Sequence, residues 1–204
     1  MKTTTVLIIC LIIVFGSEII MTVVRKANLD KLAGYLMDGN FTAFDKLINN
    51  KFIKFILPGF NIEYLCLNRY IAEMNDEKVR EYVDQFLTRK MSDVQKKAVY
   101  QQGFNYFIFR NDEKYGRKCY EELKKLSNMG EQLKNVDAIF EVLIEKKEDV
   151  LEKLIKDNDS LSGKERVDNE ALIAQIYSYK GDEKNTEEYF KKALEDKKKL
   201  DGEK

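Results

Sequence analysis

The tetrapeptide Asn75-Asp76-Glu77-Lys78 recurs along the chain and sets the period on which the fold depends. It returns 36 residues later as Asn111-Asp112-Glu113-Lys114, and a further 70 residues on, close to two such periods, as Gly181-Asp182-Glu183-Lys184. Weaker copies stand near the two remaining positions, at Lys146-Lys147-Glu148-Asp149 and at Gly39-Asn40. A period in the mid-thirties over five units predicts an array of helical hairpins.

The sequence around each copy fits a tight turn between two helices. An apolar and aromatic run precedes each turn, and a second helical pattern follows it, with an inward stripe that includes Ile48, Val83, Cys119, Leu154 and Tyr189. Asn or Gly tolerates the left-handed conformation that ends a helix. The Asp that follows can cap the next helix and favours its positive N-terminus. Each unit is therefore predicted to be a helix, a turn and an antiparallel helix.

The last unit resembles the tetratricopeptide repeat. The matching positions are Ala174, Tyr177, Gly181, Asp182, Phe190 and Ala193. The unit departs from the family at Thr186, where Ala is preferred, and it lacks the closing Pro. The resemblance covers residues 167–199 and is degenerate over residues 27–157, where the period and the turns persist without the small-residue code.

This resemblance implies a superhelix with a concave groove that binds a peptide or a helix of a partner protein. Carrying the groove positions of the family over by register gives five candidate partner-binding residues, which are Arg69, Gln101, Asn105, Gln175 and Tyr179. Polar side chains in such a groove can hydrogen-bond a peptide backbone without fixing its sequence.

The composition narrows the classes of function. The 204 residues include 35 basic and 35 acidic side chains, a balance that does not favour nucleic acid as a partner. The chain has no His, which removes histidine acid–base catalysis and most zinc sites. We expect no catalytic residue, no metal, no cofactor and no small-molecule substrate, and hence a protein that is not an enzyme. The widely spaced Cys10, Cys66 and Cys119 are not a disulfide framework.

The N-terminal region is strongly apolar. Residues 5–24 form a run of 20 residues that is long enough to span a bilayer core of roughly 30 Å. The run predicts a transmembrane anchor between an N-terminal tail at 1–4 and a repeat domain at 25–204. A cleaved signal peptide over residues 1–16 is the alternative, because Lys2 provides a short basic start and Val14-Phe15-Gly16 a tolerable cleavage site.

The charges that flank the predicted span suggest its orientation. Arg25 and Lys26 follow it, so the positive-inside tendency places the repeat domain in the cytoplasm of a single-pass protein. Glu18 is the one charge inside the span. A functional role would be a polar contact with another membrane helix or a proton-linked step, and the alternative is a protonated or snorkelling residue of a simple anchor.

The sequence thus predicts an all-α fold, with an N-terminal transmembrane helix followed by an α-solenoid of about five tetratricopeptide-like hairpins. The function that fits is a membrane-anchored scaffold that recruits or holds a partner protein. The alternative is a small accessory or assembly subunit that joins a larger membrane complex through its transmembrane helix.

Overall fold

The computed structural model describes the backbone of residues 3–127 and 129–202, and their side chains except those of residues 3–17, 19 and 131. Over these residues the protein is all-α and repeat-like, with 79% of the chain in eleven helices and no strand. The chain divides into two compact units, one ending at Thr88 and the other beginning at Arg89.

The helices are numbered in chain order. The first unit contains α1 to α5, which span Thr3–Met37, Phe41–Ile48, Lys51–Ile56, Gly59–Ala72 and Asp76–Thr88. The second unit contains α6 to α11, which span Asp93–Phe109, Glu113–Lys124, Glu131–Leu143, Leu151–Asn158, Gly163–Tyr179 and Glu183–Leu200.

The transmembrane part of the predicted fold class is wrong, and so is the predicted single-pass localisation. Among the residues that the structure describes, no helix is both long enough and apolar enough to cross a bilayer. The side chains of residues 3–17 and 19, on which most of the predicted span at 5–24 and of the alternative signal peptide at 1–16 depends, lie outside the described residues. The cytoplasmic orientation that was deduced from the span loses its basis with it.

Helix α1 does not end where the apolar sequence ends, and this is the physical reason for the correction. It continues past residue 24 to Met37. Its C-terminal part belongs to the core of the first unit, where Leu32 is fully buried with Phe44 and Ile53. The Arg25 Nε donates a hydrogen bond of 2.8 Å to the carbonyl oxygen of Ile56. The arginine that was expected to flank a membrane span therefore joins α1 to α3.

The backbone conformation repeats with the predicted period, at the residue that ends the first helix of each pair. Five residues there have a positive φ of 52° to 69°, namely Gly39, Met74, Asn111, Lys146 and Gly181. The intervals from 39 to 74, 74 to 111, 111 to 146 and 146 to 181 are 35, 37, 35 and 35 residues. One left-handed residue per repeat ends the first helix and reverses the chain.

Four of these five turns close with the same two backbone hydrogen bonds. At the last turn, the Asp182 N–H donates to the Tyr177 carbonyl at 3.0 Å and the Gly181 N–H donates to the Ser178 carbonyl at 3.1 Å. The turns at residues 39, 74 and 111 repeat this pair of bonds. It is the Schellman motif, which provides donors for carbonyl groups that the end of a helix leaves unpaired.

The residue after the left-handed position caps the next helix. Side-chain oxygens of Asn40, Asn75, Asp112 and Asp182 each accept a hydrogen bond, of 3.1 or 3.2 Å, from the backbone N–H three residues on. Asn75 is therefore equivalent to Asp112 and not to Asn111, so the sequence-based register of the second turn was wrong by one residue. The left-handed residue of that turn is Met74.

The fourth turn departs from this pattern. Lys147 stands at the capping position, and an ammonium group cannot accept a hydrogen bond. The other four capping residues are followed directly by a helix, whereas α9 begins four residues after Lys147, at Leu151. Val150, at the N-cap of α9, makes no side-chain capping bond. The second helix of this pair therefore starts late and is only 8 residues long.

Substituting glycine for Met74 should stabilise the first unit. A left-handed backbone is unfavourable for a side chain with a Cβ atom, and glycine removes that penalty. Met74 is 57% exposed, so little packing is lost. We expect Met74→Gly to raise the free energy of unfolding by about 1 kcal/mol, measured by urea denaturation followed by circular dichroism.

Met37→Gly is the matched control, because Met37 is also an exposed methionine but is the last residue of α1. Glycine at a helical position should lower the free energy of unfolding by up to about 1 kcal/mol. A loss of stability in both variants would contradict the assignment of Met74 as the left-handed residue.

The ionisation of Tyr100 should lower the stability of the second unit at alkaline pH. Burial of its hydroxyl in α6 raises the pKa of Tyr100 to about 12, and Glu122 and Cys119 raise it further in the same direction. In the unfolded chain a tyrosine has a pKa of about 10, so the unfolded state loses its proton first as pH rises. The stability from Tyr100 is therefore complete below about pH 10 and is lost between about pH 10 and pH 12.

The variant Tyr100→Phe cannot ionise and should lose less stability than the wild type over this window. Over this window we expect the free energy of unfolding of the wild type to fall by roughly 1 to 3 kcal/mol more than that of the variant. Urea denaturation at a series of pH values measures both curves, and parallel curves would contradict the prediction.

Candidate functional site

The five predicted partner-binding residues fall in different units. Arg69 lies on α4 of the first unit. Gln101 and Asn105 lie on α6, and Gln175 and Tyr179 on α10, of the second unit. The surroundings of these three sets of residues differ.

Arg69 is bound within its own unit. Its Nε and Nη2 atoms donate to the two carboxylate oxygens of Asp45 at 3.1 and 3.0 Å, and its Nη1 donates to Glu73. The guanidinium also lies over the rings of Phe41 and Tyr70, at 5.1 and 4.6 Å from their centroids. With only 11% of its side chain exposed, Arg69 joins α4 to α2. This arrangement is typical of a structural arginine.

Gln101 and Asn105 form a pair on one face of α6. The Gln101 Nε2 donates to the Asn105 Oδ1 at 3.1 Å. Val94 and Phe109 are largely exposed and lie on the same face, seven residues before Gln101 and four after Asn105. This face presents amide groups between two apolar side chains, and a peptide backbone could hydrogen-bond there.

Gln175 and Tyr179 line one cavity. It has a volume of about 380 Å³ and lies where the turn after α6, the turn after α8 and the end of α10 meet. We call it the turn cavity. Its lining residues are Ile108, Asn111, Glu113, Leu143, Ile144, Lys146, Gln175 and Tyr179. Sequence reasoning found two of the eight, since the other six come from two further repeats that only folding brings alongside.

The walls of the turn cavity are apolar and its rim is charged. Ile108, Leu143 and Ile144 supply the aliphatic surface. At the rim the Lys146 Nζ lies 3.6 Å from the Glu113 Oε1, with both side chains mostly exposed. Such an exposed pair contributes little stability and can separate when a ligand enters.

Tyr179 is partly withdrawn from water in this cavity. Burial raises the pKa of its hydroxyl, and the Lys146 charge and a hydrogen bond with Gln175 offset only part of that effect. Tyr179 therefore stays neutral near pH 7, with a phenolic O–H that can donate to a carbonyl oxygen of a bound segment. The cavity can hold an apolar side chain and bond the chain next to it.

A second opening lies between α8 and α9. In the described part of the chain, α10 packs against both helices, but α8 and α9 barely touch each other. Two adjoining cavities of about 290 and 360 Å³ lie between them and share Lys134, Ala138, Lys153 and Leu154. Together they form the α8–α9 groove. Sequence reasoning missed it, although Lys147 at a capping position was the signal that could have revealed it.

Glu18 is exposed on α1, and its backbone carbonyl accepts a hydrogen bond of 2.8 Å from the Thr22 hydroxyl. The intramembrane role predicted for its side chain depended on the span at 5–24 and has no basis without it. Across the described residues, no group of three or more Cys, Asp or Glu side chains is placed to hold a metal ion.

Comparison of the chain with protein-family models, with curated proteins and with solved structures found no match in any of the three. What can be said of its function therefore depends on its own residues and on the geometry of its two openings.

Replacing Arg69 should weaken the first unit. Arg69→Met keeps much of the apolar stem but removes the donors to Asp45 and Glu73. We expect a loss of about 1 to 2 kcal/mol in the free energy of unfolding. The loss stays moderate because Asp45 is 47% exposed and water can replace part of the bond. Urea denaturation measures it.

Lys46→Met is the control, because Lys46 is exposed and adjacent to Asp45. Its effect should stay within about 0.5 kcal/mol. If Arg69→Met had an equally small effect, the assignment of a structural role to Arg69 would be wrong.

Proposed function

We propose that this protein is a tetratricopeptide-like interaction module that captures a short segment of a partner protein in the turn cavity. One observation carries the proposal: Gln175 and Tyr179, which the repeat register had selected, line a single cavity with aliphatic walls. The earlier suggestion that the partner is held at a membrane is not part of this proposal.

The size of the turn cavity favours a peptide side chain as its occupant. Pockets for small molecules have volumes of about 300 to 1,000 Å³, and 380 Å³ is near the lower limit. A volume of this size accommodates one large apolar side chain and part of the backbone beside it. Recognition of peptides commonly depends on such an anchor side chain in a desolvated pocket.

The polar groups of the turn cavity fit the backbone of the captured segment. Gln175 offers an amide that can both donate and accept, and Asn111 offers a second one at the rim. Neither group fixes the identity of a side chain, so the anchor residue would supply the specificity. Leucine, isoleucine and the aromatic residues are the anchors that the aliphatic walls favour.

The proposal is tested by selecting ligands from a library of random twelve-residue peptides displayed on phage. Selected peptides should share an aromatic or branched apolar residue, and fluorescence polarisation should report binding to the wild type. The double variant Gln175→Ala/Tyr179→Ala should bind them at least about tenfold more weakly, the usual loss when an anchor pocket is damaged.

Ser178→Ala/Lys180→Ala is the control, because both residues are exposed at the C-terminal end of α10, where Lys180 is the C-cap, and lie outside the cavity lining. Circular dichroism should show unchanged helicity for both double variants. Failure to select any peptide, or equal binding by the Gln175/Tyr179 variant, would overturn the proposed function.

A further inference from the structure

The outer face of α11 carries two exposed apolar side chains. Within the described residues, α10 is the helix against which α11 packs closely. Ala193 is buried in that contact, and the ring of Tyr189 stacks on Tyr177 with 5.7 Å between the centroids. Phe190 and Leu194 each follow one of the two inward residues of α11, so they lie on a neighbouring face, where they are 46% and 58% exposed. Two large apolar side chains one turn apart are a candidate contact surface.

These two residues form the centre of a stripe that has the same spacing when read from either end. We define the α11 stripe as Glu183, Glu187, Phe190, Leu194, Lys197 and Asp201. Successive members are four, three, four, three and four residues apart, so they share one side of the helix. The stripe is acidic on the N-terminal side of the apolar pair. On the C-terminal side it places Lys197 first and Asp201, the C-cap residue, last.

The charges that flank the apolar pair are not used within the described chain. Glu187 and Lys197 are both exposed, and neither makes an ion pair with a described residue. Glu188, on another side of the helix, is in contrast paired with Lys192 at 2.8 Å. One negative and one positive charge therefore remain available on the stripe, one on each side of its apolar centre.

The α11 stripe is complementary to a second copy of itself. If two α11 helices run antiparallel across a two-fold axis, the symmetric spacing places Phe190 against the partner's Leu194. The same register places Glu187 opposite the partner's Lys197, and each of these contacts forms twice. A parallel pair would instead set Glu187 against the partner's Glu187 and Lys197 against the partner's Lys197. The charges and the opposed helix dipoles therefore both favour the antiparallel arrangement.

Two like-charge contacts limit the strength of this pairing. Glu183 would lie opposite the partner's Asp201 at the ends of the contact, where water and salt screen the repulsion. Lys191, beside the stripe, would lie near the partner's Lys191, although it pairs with Glu195 at 4.0 Å in its own chain. One pair of helices also buries less than the roughly 1,200 Å² of a standard interface, so we expect a weak dimer.

We infer that the α11 stripe is the contact surface of a homodimer with two antiparallel α11 helices. Phe190 and Leu194 form its apolar centre, and the Glu187–Lys197 pairs between the subunits set its orientation. A second copy covers both exposed apolar faces at once, because an isologous contact uses the same residues on each subunit. The inference is independent of the proposed function, since no residue of the stripe lines the turn cavity.

The test measures the association of the full chain by sedimentation equilibrium from micromolar to millimolar concentration. The wild type should show a reversible equilibrium between monomer and dimer. Glu187→Lys should raise the dissociation constant by about tenfold, because it sets two pairs of like charges in contact. Lys197→Glu should do the same. An equimolar mixture of the two variants should associate as tightly as the wild type, because every lysine then lies opposite a glutamate.

Glu195→Lys and Lys199→Glu are the matched controls for charge. They make the same changes at exposed positions of α11 that lie outside the stripe. Each should associate as the wild type does, which separates the pairing of the stripe from an effect of net charge.

The apolar centre is tested by Phe190→Ser/Leu194→Ser, which should abolish the dimer. The control is Val94→Ser/Phe109→Ser, which removes two exposed apolar side chains from α6 of the same unit and should leave the dimer intact. Circular dichroism should show unchanged helicity for both double variants.

Three results would overturn the inference. They are a wild type that stays monomeric up to millimolar concentration, a dimer that survives Phe190→Ser/Leu194→Ser, and a mixture of the Glu187→Lys and Lys197→Glu variants that associates no more tightly than either alone. Phe190→Ser/Leu194→Ser should bind the peptides selected for the turn cavity as the wild type does. The dimer and the proposed function can therefore fail separately.

Discussion

The structure depends on how the chain reverses between two helices. A reversal needs one residue in the left-handed conformation and, directly after it, a side chain that accepts a hydrogen bond from the next helix. Gly39, Met74, Asn111, Lys146 and Gly181 provide the first at nearly equal intervals. Asn or Asp provides the second at four of the five turns. Because these two requirements recur at nearly equal intervals, the helical pairs follow one another regularly along the sequence.

The turn that lacks a capping side chain shows how one residue can open a gap between two helices. With Lys147 at the capping position, α9 starts late, packs on α10 and leaves a groove beside α8. The turn cavity also depends on how repeats meet, since it lies at the edge where the turns after α6 and α8 reach the end of α10.

The failure of the predicted membrane span has a physical cause. The hydropathy of residues 5–24 reflects only the composition of that stretch. It does not show that α1 extends to Met37, or that Arg25 donates a hydrogen bond to the Ile56 carbonyl. The repeat register that selected Arg69 as a candidate partner-binding residue does not reveal that its guanidinium donates hydrogen bonds to Asp45 and Glu73. For Gln175 and Tyr179 the same register selected two residues that do line one cavity, because they are four residues apart and therefore share one face of α10.

The sequence by itself determined the length of the helical repeat and the positions of the turns to within one residue. It also excluded chemistry that requires histidine. These are local properties: a left-handed residue, a capping side chain and a 3.6-residue apolar pattern act within a few residues of each other. Only the tertiary structure decided which lining residues meet at the turn cavity, and that α9 packs on α10 and not on α8. Those outcomes depend on contacts between repeats, such as Asn169 with the Leu154 carbonyl, whose partners no local pattern specifies.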